Sequence, residues 1–236
     1  MNCNDQGEEK SPNCLSEGLQ VLCNLESLHI KQRIEKLELI TGFETKNKYG
    51  VYNEQEEIYV AQEYSVLLRR ICLGKYRSME IVVEDLTGRE ALRLQRNVPL
   101  TAFLCPFVFP ETFEVFTSRE KIGSVEKFSA LRQVFEIKDE TGHRVLKIKG
   151  SWSFWCGSCF QNLHYKIYSC KTGEEVGIIS KEWGGLVKET LTDADNFGLV
   201  WYENQKLDVK TKSLCLAALF FIDLFVFESG GSRKSI

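Results

Sequence analysis

The sequence predicts a mostly β fold, a barrel or sandwich of about ten to twelve antiparallel strands. Two observations predict it. A β-hairpin pattern recurs along most of the chain, and a C-terminal apolar run with helical composition interrupts that pattern. The length of 236 residues is enough for one large domain, whose core would need no disulfide bonds to be stable.

Each predicted hairpin alternates apolar and polar residues, passes through a tight turn and alternates again, which is typical of a half-buried strand pair. In three of the turns a glycine, Gly88, Gly142 or Gly173, supplies the positive φ that tight turns need. The uneven intervals between hairpins exclude a short-period solenoid. The four hairpins cover residues 50–63, 79–94, 134–150 and 165–181.

The C-terminal run, predicted as a helix over residues 212–227, is apolar on every side, and such helices are buried. Either protein or lipid could bury it. Its apolar part is shorter than the roughly 20 residues of a membrane span, and Asp223 would be costly inside a bilayer. An enclosed helix is therefore favoured, and a single membrane pass is the alternative. The candidate core or membrane residues are Leu214, Leu219, Phe220, Phe221, Asp223 and Phe225.

The chain ends differ from the rest of the sequence. Residues 1–16 are polar and predicted to be a disordered lead, residues 17–229 form the barrel domain with its helix, and residues 230–236 are a short tail. The lead has no basic stretch followed by an apolar run, so we expect a protein that is not secreted. The nine cysteines are then expected to be free thiols. A net charge of −3 argues against a nucleic-acid partner.

No catalytic motif is recognisable, since the sequence lacks a phosphate-binding loop, HExxH, GxSxG and a kinase signature, and we predict that the protein is not an enzyme. One pattern, Cys156, Cys159, His164 and Cys170, is close to a zinc-knuckle spacing. However, His164 and Cys170 fall on one predicted strand, roughly 20 Å apart. That distance is too long for one metal ion, so zinc is disfavoured.

A weak calcium pattern precedes the C-terminal helix. Asp193 and Asp195, followed by Gly198, resemble the start of a calcium loop, because carboxylates two residues apart can wrap a hard cation. An EF-hand would also need an oxygen ligand at the position of Phe197 and a Glu at the position of Asn204. The pattern therefore predicts at most a weak, non-EF site, and an ordinary Asp/Asn/Gly turn is the alternative.

Several segments of the sequence resemble the phospholipid scramblase family. The resemblance covers about residues 17–229, and the DADNFG segment followed by an LDVK helix and an FES ending is highly specific. The segments are TGFETKNKYGVYN (41–53), VLKIKG (145–150), ISKEWGG (179–185), LTDADNFG (191–198) and LDVKTKSLCLAALFFIDLFVFES (207–229).

This resemblance implies a tubby-like fold, a closed antiparallel barrel of about twelve strands around the hydrophobic helix. It also implies Ca²⁺-activated, ATP-independent, bidirectional movement of phospholipids between membrane leaflets. Ca²⁺ is then the expected cofactor and a phospholipid membrane the expected partner. Glu203 is the nearest substitute for a final carboxylate that the family has and this sequence lacks. The implied calcium residues are Asp193, Asp195, Phe197, Leu199, Trp201 and Glu203.

Other departures from the family affect membrane attachment. The family's cluster of palmitoylated cysteines is reduced to Cys105, which is the lipidation candidate. One acyl chain alone gives only marginal attachment. We expect membrane association mainly on the cytoplasmic side, and the sequence leaves protein partners and oligomeric state open.

A second function is compatible with the same fold. A tubby-type barrel could act as a membrane-associated or phosphoinositide-binding module that regulates without moving lipid. Such a module needs a basic pocket, and a solvated hairpin flank is the simpler interpretation of the available cluster. The cluster consists of Arg69, Arg70, Lys75 and Arg77.

Overall fold

Twelve antiparallel strands follow one another around a closed barrel, and the last strand pairs with the first. The computed structural model describes residues 17–33, 48–54, 56–64, 78–98, 111–118, 120–127, 133–150, 164–182, 196–203 and 206–224. The strands are β1 (Ser27–Arg33), β2 (Lys48–Asn53), β3 (Glu56–Tyr64), β4 (Met79–Asp85), β5 (Glu90–Arg96), β6 (Glu111–Thr117), β7 (Glu120–Lys127), β8 (Val134–Asp139), β9 (Arg144–Gly150), β10 (His164–Ser169), β11 (Glu175–Glu182) and β12 (Asn196–Trp201). The predicted closed antiparallel barrel of about twelve strands is confirmed.

The four predicted hairpins are present as β2–β3, β4–β5, β8–β9 and β10–β11. Gly88, Gly142 and Gly173 have φ angles of 81°, 86° and 76°, as the turn chemistry predicts. In the β2–β3 turn the residue with positive φ is Glu54, at 51°.

The two ends of the barrel differ. All short turns lie at one end, which we call the hairpin end, because every even-numbered strand runs toward it. The longer connections, which lie partly outside the described residues, join strand ends at the opposite end, which we call the linker end. The hairpin end holds the turns after β2, β4, β6, β8 and β10 and the end of β12.

An α-helix, α1 (Val209–Ile222), runs through the barrel from the hairpin end. It begins three residues before the predicted start because Asp208 caps it, accepting a hydrogen bond from the backbone N–H of Thr211 at 2.7 Å. Lys210 forms an ion pair with Glu140 in the β8–β9 turn, which fixes the start of α1 at the hairpin end. Fourteen residues give a length of about 21 Å.

The barrel core is built around α1. Phe220 packs edge-on against Tyr49, with ring centroids 5.4 Å apart. Phe221 does the same against Phe113 at 4.9 Å and Phe135 at 5.6 Å. Edge-to-face pairs of this kind add to the burial of aromatic area. The helix is therefore locked to strands on more than one side of the barrel.

A short 3₁₀ helix, η1 (Glu17–Asn24), covers the hairpin end. Residues three apart lie on one face of a 3₁₀ helix, and Leu19, Leu22 and Leu25 are accordingly buried. The hydroxyl of Tyr59 donates to the carbonyl of Gly18 at 2.6 Å. The described residues before residue 34 thus form this 3₁₀ helix followed by β1.

Replacing Gly123 with alanine should destabilise the protein, although strand propensity alone favours alanine over glycine. A Cβ at Gly123 would lie 2.2 Å from the carbonyl oxygen of Lys138 and 2.9 Å from a methyl group of Leu214 on α1. Overpacking of this kind costs about 1–3 kcal/mol. Urea unfolding should show that loss for Gly123→Ala and almost none for Glu120→Ala, and a stabilised Gly123→Ala protein would contradict the packing.

The β4–β5 turn should make the stability of the protein depend on pH between about 2 and 5. Asp85 accepts hydrogen bonds from the Thr87 hydroxyl and the Arg89 backbone N–H, which lower its pKa from 3.8 to about 2. A lowered pKa adds stability above the unfolded value of about 4, and this stability is lost as the pH falls to 2. Asp85→Asn should therefore unfold more easily than the native protein at pH 5, with the difference shrinking toward pH 2. Urea midpoints across this range, with Glu54→Gln as control, test this; a gap that does not change with pH would contradict it.

Candidate functional site

The calcium pattern predicted from the sequence continues into β12, which lies between β1 and β11. Phe197, Leu199 and Trp201 alternate along the strand and point into the barrel, where all three are buried. Their side chains carry no oxygen, so these residues could ligate a cation only through backbone carbonyls. Those carbonyls belong to a strand that is hydrogen-bonded to a neighbour on each side.

Glu203 lies just beyond β12, in an exposed turn at the hairpin end. It lines a shallow open groove together with Glu26, Ser27, Val200, Trp201 and Tyr202. Asp193 and Asp195 precede β12 in the sequence and lie outside the described residues, and β12 itself begins at the linker end. Because β12 is extended, its six residues separate the two ends by roughly 17–20 Å.

This separation bears on the predicted ligand set. Calcium ligands lie about 2.3–2.6 Å from the ion, so all of them must converge on one point. Because Asp195 is bonded to the first residue of β12, an ion held at Asp195 and the side chain of Glu203 would lie toward opposite ends of that strand. The ligand set itself stays a prediction. Among the residues that the structure describes, no three His, Cys, Asp or Glu side chains are grouped as a metal site would require.

Several other predicted residues fall outside the described ranges. They include Cys156 and Cys159 of the zinc pattern. The other two residues of that pattern are described. His164 begins β10, whereas Cys170 follows its last residue in the β10–β11 turn, and both are exposed. The others outside the described ranges are Cys105, Phe225, Arg69, Arg70, Lys75 and Arg77.

The predicted helix residues are enclosed by the barrel. Leu214, Leu219, Phe220 and Phe221 are at most 1% exposed, and Asp223, just after α1, is 6% exposed. Protein and not lipid buries the helix in this structure, which was the favoured interpretation of the sequence. Within the described ranges, no helix combines the length and the apolarity that a membrane crossing requires.

A buried lysine joins three elements at the hairpin end. Lys212, in the first turn of α1, is 8% exposed. Its ammonium group donates to the carbonyls of Leu22, Cys23 and Leu25, at 3.1, 2.9 and 2.7 Å. It thereby binds carbonyls at the end of η1 and just beyond it, where the helical hydrogen-bond pattern stops.

The surroundings of Lys212 are apolar. Its Nζ lies 5.1 Å from the ring centroid of Trp201, the last residue of β12. Burial lowers the pKa of Lys212 and raises the pKa of the Cys215 thiol to about 12, because each charged form would lose hydration. The end of β12, the start of α1 and the end of η1 thus meet at one cation.

Comparison with known proteins assigns the family. The sequence model of the family described as Scramblase matches residues 7–229. The chain belongs to the scramblase family. Human phospholipid scramblase 1 is 36% identical over 219 residues, which are 92% of this chain and 68% of that protein. Bovine phospholipid scramblase 2 is 36% identical over 89% of this chain and 71% of its own length.

A more distant scramblase relative covers still more of the chain. Human phospholipid scramblase 4 is 30% identical over 234 residues, which are 97% of this chain and 69% of that protein. The chain thus spans about two thirds of the length of these scramblases. No solved structure matches the chain.

The scramblase motifs did not reveal the role of Lys212. In the sequence it reads as one of several charges that flank the helix. The available signal was its position, because Asp208 can cap a helix that then includes Lys212 within its first turn. The ammonium group of a lysine at this position must either extend into solvent or find hydrogen-bond acceptors inside the protein. The carbonyls at the end of η1 are those acceptors.

Substitution of Lys212 should loosen the hairpin end. Lys212→Met removes the donor to three carbonyls, and hydrogen bonds to a charged group contribute about 1.5–3 kcal/mol. We expect urea unfolding to show a loss of that size, and amide hydrogen exchange to speed up first in η1.

Lys210→Met is the matched control, two residues away on the same helix. This substitution removes the ion pair between Lys210 and Glu140, whose two side chains are both partly exposed. It should lower the free energy of unfolding by less than about 1 kcal/mol. Equal losses for the two variants, or unchanged exchange in η1, would show that Lys212 does not hold η1 in place.

Proposed function

We propose that this protein moves phospholipids between the two leaflets of a membrane, in both directions, without ATP and under the control of Ca²⁺. Family membership over residues 7–229 carries the proposal, together with the names of the relatives as phospholipid scramblases. The lack of a phosphate-binding loop in the sequence supports independence from ATP. The role is transport, with no covalent chemistry on the lipid.

For calcium control, we propose Asp193 and Asp195 as the ligands that start the site. They immediately precede β12, so an ion bound there would act on a strand whose inner face packs in the core with α1. Two carboxylates with few further charges favour a low affinity. Glu203 is left out of this ligand set because the extended β12 places it at the opposite end of the barrel.

Attachment to the membrane is the next requirement. We propose that the protein works on the cytoplasmic side and that an acyl chain on Cys105 contributes to binding. Cys105 lies in the connection between β5 and β6, which joins two strand ends at the linker end. Since one acyl chain holds a protein only marginally, a second contact with the membrane is needed.

The enclosed helix favours a second candidate function. With α1 sealed inside the barrel, the described residues offer no internal path for a lipid headgroup. A membrane-associated or phosphoinositide-binding module would need only the outer surface of the barrel. In that case the protein would bind vesicles and leave the distribution of lipid between leaflets unchanged.

A reconstitution assay tests the proposal. Purified protein is placed in liposomes with fluorescent lipid, and scrambling is followed by a membrane-impermeant quencher with and without Ca²⁺. We expect Ca²⁺ to accelerate scrambling in the native protein. Asp193→Asn/Asp195→Asn should lose the response to Ca²⁺, because the amides remove the negative charge that the ion requires.

The matched control is Glu203→Gln/Glu120→Gln, which removes the same number of carboxylates at the hairpin end. It should keep the Ca²⁺ response. If it loses the response as fully as the aspartate variant, β12 must leave the barrel to form a longer loop, and our ligand set is wrong. Vesicle binding without any scrambling would reject transport in favour of the binding module.

A further inference from the structure

The outer surface of the barrel is divided by charge. Outward residues of β4 to β7 include five glutamates: Glu80, Glu84, Glu90, Glu114 and Glu126. Outward residues on the other side, from β9 through β12 to β1, include four lysines and two larger apolar side chains. We call this second surface the basic face, defined by Lys31, Lys147, Lys149, Lys166, Ile178 and Val200.

Two lysines stand directly opposite each other on the basic face. Lys149 on β9 is paired in register with Lys166 on β10, and both are exposed. Like charges at opposed positions of an antiparallel pair destabilise it. Lys166 binds Glu175 at 3.0 Å, whereas the ammonium of Lys149 lies over the ring of Tyr168, 4.9 Å from its centroid.

The neighbouring position repeats the excess of positive charge. Lys147 is two residues before Lys149 and therefore on the same side of β9. It is paired in register with Tyr168 on β10 and with Glu136 on β8. The carboxylate of Glu136 is bound by Arg144 at 3.0 Å, so its charge is already compensated.

A partly exposed apolar strip of two residues lies between the lysines. Ile178 on β11 is paired with Val200 on β12, which is 38% exposed. The next outward position on β12 is Gly198, which has no side chain. On β1, Lys31 is two residues beyond the partner of Gly198, and it lies over the ring of Tyr52, 5.2 Å from its centroid. A lysine–tyrosine pair thus stands on each side of the strip.

The acidic side of the barrel differs because its basic groups are already bound. Lys121 pairs with Glu114 at 2.7 Å, and Lys138 pairs with Glu126 at 2.6 Å. Arg93 is shared between Glu80 and Glu90. These cations are engaged within the protein, whereas the lysines of the basic face outnumber the described carboxylates beside them.

We propose that the basic face docks on the surface of an anionic phospholipid membrane. Lysines attract acidic headgroups, tyrosine rings suit the boundary between water and lipid, and the strip of Ile178 and Val200 can enter that boundary. A nucleic acid would match the lysines but not the apolar strip, and the net charge of −3 lacks the basic excess of nucleic-acid binders. The inference adds to the proposed function the orientation in which the barrel meets its membrane.

Sedimentation with vesicles tests this docking without measuring lipid movement. The full chain is mixed with vesicles of phosphatidylserine and phosphatidylcholine in EGTA, and the bound fraction gives a partition coefficient. Lys147→Gln/Lys149→Gln should lower it about 25-fold, at about fivefold for each lysine near an anionic surface. Lys147→Arg/Lys149→Arg should bind like the native protein.

The control Lys121→Gln/Lys138→Gln makes the same change in net charge on the acidic side, and should alter binding less than twofold. The inference is overturned if the two glutamine variants lose binding equally, or if the native protein does not bind anionic vesicles. Binding to a single-stranded RNA is measured in parallel, and a Lys147→Gln/Lys149→Gln variant that loses only RNA binding would also overturn the inference. Scrambling is measured separately. Lysine-dependent docking without scrambling would support the docking surface and reject transport. Scrambling without lysine-dependent docking would support transport and reject the docking surface.

Discussion

The burial of α1 is the constraint on which the rest of the structure depends. A closed barrel of twelve strands has an interior wider than its own side chains fill, and large barrels are otherwise open or hold a ligand or plug. Here a helix that is apolar on all sides occupies the interior and packs through Phe220 and Phe221 against rings from several strands. Gly123 leaves room for Leu214 where a larger residue would collide. At the hairpin end, Lys212 closes the structure by binding the carbonyls at the end of η1.

This burial limits the mechanisms available to a scramblase. Full burial of one large apolar side chain contributes about 1.5–3 kcal/mol, and a whole domain is stable by only about 5–15 kcal/mol. Expelling α1 would expose many such side chains at once, so the helix is expected to stay inside during any working cycle. Lipid headgroups would then have to interact with the outer surface of the barrel. The basic face is placed for that role, and β12, which follows Asp193 and Asp195 in the sequence, is one of its strands.

The sequence predicted the features that depend on local patterns. Alternation and turn glycines such as Gly88 were enough to identify four hairpins, and the composition of residues 212–227 was enough to predict an enclosed helix. Lys212 and the basic face depend instead on which residues the fold brings together. Lys149 and Lys166 are 17 positions apart and become neighbours only through strand register. The calcium pattern was found from spacing alone and stays a prediction, and spacing did not show that Glu203 follows an extended strand.

The enclosure of α1 can be measured most directly through its own cysteine. Cys215 lies on α1 and is fully buried, whereas Cys23 and Cys170 are exposed and serve as internal controls. Folded protein is treated with a small thiol reagent near pH 8, and the modification of each cysteine is followed by mass spectrometry. If the barrel encloses the helix, Cys23 and Cys170 are labelled rapidly and Cys215 only as fast as the protein unfolds, and all three react in denaturant. Labelling of Cys215 in the folded protein as rapid as that of Cys170 would show that the helix does not reside inside the barrel.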